Sequence, residues 1–167
     1  MKDAVRQAVD PQVLLGLRVI FGSFLMGVYA FTLISVAMYF GKASDPDLVV
    51  PIESNATLLT YIALGYIVVS IPLSSVLFKR FLKKEINQNP HVIVANIRSA
   101  MLVRLAVFEG AALFAATGIL IGAMDGYLVG NPVIWINLVP IAYFTLHILM
   151  NWPTATKMVY IYENHFQ

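Results

Sequence analysis

Glu109 is a single carboxyl group set among apolar and small side chains over residues 105–122. An ionised carboxylate in hydrocarbon costs several kcal/mol, so this group is expected to be protonated, paired, or turned toward water or protein. Two chemistries follow. Glu109 binds and releases a proton or a sodium ion, or it locks helix packing through a hydrogen bond. Tyr66, Ser70 and Ser74 on an earlier apolar block and His147 on a later one are its candidate partners. At about 100° per helical residue, Ala112, Ala116 and Leu120 fall on the side of Glu109. Ala111, Ala115, Gly118 and Gly122 form an adjacent stripe ending in a Gly-x-x-x-Gly step, which permits close helix contact.

Other chemistry-bearing residues are sparse. His147 and Asn151 share a helix face, but haem ligation by two imidazoles needs a second histidine on an opposing helix. His91 and His165 are expected at the polar surface, so His147 is read as a histidine hydrogen-bonded between helices. The chain has no His-Glu-x-x-His, no Gly-x-Ser-x-Gly elbow, no paired intramembrane acids and no phosphate-cradling glycine loop. No enzymatic activity is expected. Cysteine is absent, which removes disulfides, iron–sulfur clusters and thiolate metal sites, and no cofactor is expected. Lys79, Arg80, Lys83 and Lys84 form a basic cluster that either contacts anionic lipid, at about 1 kcal/mol per charge, or enforces orientation alone. No basic run interleaved with aromatics points to nucleic acid.

These side chains must be carried by elements that live in lipid. Of the 167 residues, 59% are apolar and 12% charged, whereas soluble domains carry about a quarter charged. Four apolar blocks, at 14–40, 56–78, 99–122 and 133–151, are each long enough to cross about 30 Å of hydrocarbon at about 1.5 Å per residue. With these as spans, all of the 11 Lys and Arg residues except Lys42 fall on one side. Basic residues stay cytoplasmic, so both termini and the loop around 79–89 are expected inside. The first block is too long for a signal-peptide core and reads as a retained span.

Asp10-Pro11, Asn89-Pro90 and Asn131-Pro132 each read as an N-capping side chain followed by proline at the first helical position. Pro72 and Pro140 fall inside spans, where a missing backbone donor kinks a helix. Trp135, Trp152 and several tyrosines lie near span ends, where amphipathic rings prefer the interface. The tail through Tyr160, Tyr162 and Phe166 is expected along the inner surface. Short loops imply antiparallel neighbours. The expected fold is all-α: residues 1–167 as one four-helix transmembrane domain, an up-down-up-down bundle with both termini cytoplasmic.

The stretch RLAVFEGAALFAATGILIG, residues 104–122, resembles the ion-carrying helix of rotary ATPase proteolipids, the c-type subunits. It is also similar to the corresponding helix of uncharacterised four-span bacterial membrane proteins. That resemblance implies Glu109 as an ion-binding carboxyl in a proton or sodium-ion pathway. From the residues themselves, the expectation is a non-catalytic accessory or structural subunit of a larger bacterial inner-membrane assembly, or a self-associating bundle. Its partners are then the lipid bilayer and other membrane subunits or further copies of the chain.

Overall fold

The structure is a computed structural model that describes residues 2–82 and 89–166. Among these it is all-helical. The order is α1 (Lys2–Ala8), α2 (Pro11–Ala43), α3 (Asn55–Leu82), α4 (Pro90–Met124), α5 (Tyr127–Gly130), a short 3-10 helix (Pro132–Asn137), α6 (Leu138–Met150) and α7 (Ala155–Phe166).

The expected caps hold at two of three helix starts. The Asp10 carboxylate accepts from the Gln12 N–H at 2.8 Å, and the Asn89 side chain accepts from the His91 N–H at 3.0 Å. Both satisfy a donor of the first turn, and both are followed by a proline that has no N–H to lose. The third start differs. Asn131 ends α5, and its amide donates back to the Tyr127 carbonyl at 3.3 Å instead of capping the segment that follows. That segment is a 3-10 helix, and α6 begins only at Leu138. Pro140 therefore lies in the first turn of α6, where backbone N–H groups have no intrahelical acceptor and a proline is tolerated. Pro72, by contrast, lies inside α3.

Four segments are long and apolar enough to cross a membrane: α2, α3, α4, and the 3-10 helix continued by α6. Their burial is unequal. Of the apolar stretch of each, 56% is buried in α4, 39% in the 3-10–α6 segment, 28% in α3 and 17% in α2. α4 is thus the centre against which the others pack. The outward surfaces stay apolar, with Leu15, Met26 and Leu33 on α2, Val68 and Val76 on α3, and Leu146 and Leu149 on α6 all exposed. Water is a poor solvent for a continuous surface of this kind, and hydrocarbon is a good one. This is the surface of a membrane protein.

Polar contacts gather at the two ends of the bundle. At one end Lys2 pairs with Glu163, and the Arg18 Nε donates to the Pro153 carbonyl at 3.1 Å. There α7 folds back onto α1 and α4, burying Met158 and Ile161 beside Val5. Thr154 caps α7, its hydroxyl accepting from the Lys157 N–H at 3.1 Å. At the other end the Ser54 hydroxyl donates to Asp125 at 2.6 Å, and Thr57 meets the Tyr127 hydroxyl at 3.2 Å. Gly126 turns the chain there with φ of 78°. A side chain at that position would come within 2.7 Å of Leu48 as well as being strained.

Candidate functional site

α4, which carries Glu109, is rich in alanine and leucine, with a proline only at its start. The faces of α4 are divided by side-chain size. Ala111, Ala112, Ala115 and Ala116 are fully buried, as are Gly118 and Gly122 by class. A Cβ placed on Gly118 would lie 3.2 Å from the Asn137 amide nitrogen and 3.5 Å from the Leu59 Cβ. One placed on Gly122 would lie 3.2 Å from the Ala56 Cβ. The small stripe is thus the surface on which the start of α3 and the 3-10 segment approach α4.

Glu109 stands outside that stripe. It is half-buried, and it makes no hydrogen bond or ion pair with any described residue. None of its four candidate partners is bonded to it. The Ser70 hydroxyl donates to the Ile67 carbonyl at 2.8 Å and that of Ser74 to the Ile71 carbonyl at 2.9 Å, both within their own helix. Serines in apolar helices take this local acceptor readily. The Tyr66 ring lies against Gly110 and packs on Phe114 with centroids 6.0 Å apart. That contact sets α3 on the Gly110 side of α4, about 100° around the helix from Glu109. His147 stacks on Phe108 at 4.5 Å, and its ring meets the Asn151 amide at 3.3 Å. Glu109 is therefore half-buried on the central helix, with no hydrogen-bond donor among the described residues.

Two groupings escaped sequence reasoning. Asn137 is fully buried between α3 and α4, donating to the Thr60 hydroxyl at 2.7 Å and to the Ile134 carbonyl at 3.0 Å. Nothing in its neighbourhood in the sequence marks it as interior. The second is at the basic end. There Lys79, Arg104, His147, Asn151, Lys157 and His165 line one cavity. The cations were legible singly, but their convergence depends on α7 folding back, which its pattern of Met158, Ile161, Tyr162 and His165 at helical spacing would have indicated. Of the predicted basic cluster, Lys79 lines this cavity and Arg80 is exposed on the same last turn of α3. Lys83 and Lys84 lie outside the described residues. No group of three or more metal-ligating side chains occurs among the described residues.

Comparison with protein-family models, with curated proteins and with solved structures finds no match to this chain.

Proposed function

We propose that this chain is a four-span protein of the bacterial inner membrane and a non-catalytic subunit of a membrane assembly, formed with other subunits or with further copies of itself. In this reading the spans run up-down-up-down, with both termini and the loop after α3 in the cytoplasm. The lopsided distribution of Lys and Arg supports that orientation. The observation that carries the assembly reading is Glu109. A carboxyl at membrane depth that has no donor among the described residues is costly in hydrocarbon, and a donor from a neighbouring chain removes that cost.

The test is to purify tagged protein from native membranes in mild detergent and compare it with Glu109→Leu. Wild type is expected in a complex larger than one chain, and the leucine variant is expected to shed its partner while remaining folded. A wild-type protein that runs as a lone monomer with nothing co-purifying would refute the assembly.

The same unpartnered, half-exposed carboxyl favours a second reading, in which Glu109 binds and releases a proton or sodium ion. The resemblance of residues 104–122 to proteolipid helices supports it. Proton or sodium flux into liposomes, with wild type against Glu109→Gln, separates the two. Equal flux from both proteins dismisses the carrier.

A further inference from the structure

The basic end of the bundle holds a cavity of about 200 Å³ where α3, α4, α6 and α7 converge. Its charged lining has one sign. Lys79, Arg104 and Lys157 face it, with His147, His165 and Asn151, and among the described residues no Asp or Glu contributes. The Arg104 Nε is buried and has no acceptor among the described residues. Its guanidinium carbon sits 5.4 Å from the centroid of the Phe78 ring, and the same ring meets His165 at 5.7 Å. The Lys157 ammonium donates to the Met150 carbonyl at 3.3 Å, which uses one of its three donors. The ion pair at this end, Lys2 with Glu163, belongs to a different surface. A buried donor on a cation is expensive to leave without an acceptor. Convergent cations with free donors are the usual recognition chemistry for an oxyanion.

Size and walls narrow the ligand. At ~30 Å³ per water-sized group, the cavity has room for roughly six or seven such groups, enough for a phosphate and the start of its ester. Phe21, Phe78 and Met101 supply an apolar wall beside the cations. We propose that this cavity is a binding site for a phosphate oxyanion, with Arg104 and Lys157 as its principal donors and Lys79 at its exposed rim. An anionic phospholipid headgroup and a soluble phosphate share this chemistry, and the apolar wall favours the lipid. The site is separate from Glu109 and does not depend on the assembly reading.

The experiment uses the full chain in mild detergent, reloaded with phosphatidylglycerol or phosphatidylcholine and examined by native mass spectrometry. A parallel titration with inorganic phosphate is followed by thermal shift. Wild type is expected to retain phosphatidylglycerol over phosphatidylcholine. Lys157→Gln and Arg104→Gln should each weaken retention about fivefold and together about thirtyfold, as for removal of one and two juxtamembrane cations. Arg80→Gln, one residue beyond Lys79 but outside the cavity, should change it less than twofold. If Arg104→Gln does not fold, Lys157→Gln combined with Lys79→Gln decides, since neither removes a buried apolar group. Saturation by inorganic phosphate with the same ranking of variants, and no lipid preference, supports the site and assigns it a soluble ligand. Equal losses for Arg80→Gln and Lys157→Gln would mean diffuse surface attraction and overturn the proposal. So would wild-type protein that binds neither probe.

Discussion

Gly122 offers a test of how closely α3 and α4 pack. A Cβ added there would lie 3.2 Å from the Ala56 Cβ and 3.6 Å from the Ile134 Cγ2. Carbon atoms pack best at about 3.5–4.0 Å, so the first contact is short by at least about 0.3 Å. Ala56 is fully buried, and its Cβ is fixed to the first turn of α3. No rotamer change can relieve it, and α3 would have to move as a body. Overpacking of this kind costs about 1–3 kcal/mol. The gain from replacing a helical glycine by alanine is at most about 1 kcal/mol. Gly122→Ala should therefore be net destabilising, by up to about 2 kcal/mol after the full helical gain. Gly65→Ala is the internal control, because nothing lies within 4 Å of a Cβ at that position. It keeps the helical gain without the clash and should be neutral to slightly stabilising. Thermal unfolding in detergent, read from the fluorescence of Trp135 and Trp152, compares the two variants. If Gly122→Ala melts at or above wild type, or Gly65→Ala melts below Gly122→Ala, the close approach of α3 to α4 is refuted.

Asn137→Ala removes the donor to Thr60 and to the Ile134 carbonyl, and should lower stability by about 1 kcal/mol, the scale of interhelical hydrogen bonds in membrane proteins. The same unfolding assay checks it, and an unchanged midpoint would mean that those bonds are not holding the 3-10 segment. Met158→Asp places a charge at a fully buried position of α7 and should release that helix without unfolding the spans. Chymotrypsin cleavage after Tyr160 should then rise sharply while the midpoint of the main transition stays near wild type. A tail as protected as in wild type would show that α7 is not held by its apolar face.

Apolar length and proline punctuation made the long helices legible. α2 and α4 begin at the prolines expected, after Asp10 and Asn89, because a capping oxygen and a pre-set φ act within a single turn and need no tertiary context. The cap expected at Asn131 fails for a tertiary reason. Asn131 is also the end of α5, and its side chain serves that helix, so the chain tightens to 3-10 geometry until Leu138. The partners of Glu109 were not legible because periodicity gives angles on one helix and not which neighbour lies at each angle. Tyr66 is close to α4, but against Gly110, one step around the helix from the carboxyl. The terminal helices α1 and α7 were missed as a docked pair because each is short and partly polar, and their stability comes from burying Val5, Met158 and Ile161 together.

The spacing of the two charged residues inside α4 bears on what each is for. Helical side chains meet when they are three or four residues apart, so a carboxylate kept only to neutralise Arg104 would sit at 107 or 108. Glu109 is five residues on, about 140° around the helix. The two form no ion pair. Arg104 is turned toward Phe78 and the basic cavity, and Glu109 is half-buried on another side of the helix. Neither charge compensates the other, and each bears its own desolvation cost in the most buried helix of the molecule. Two charges held apart in this way do not serve as each other's counterpart. In the two proposals above, the counterpart of the cation is an oxyanion in the cavity, and that of the carboxyl is a donor or an ion from another molecule.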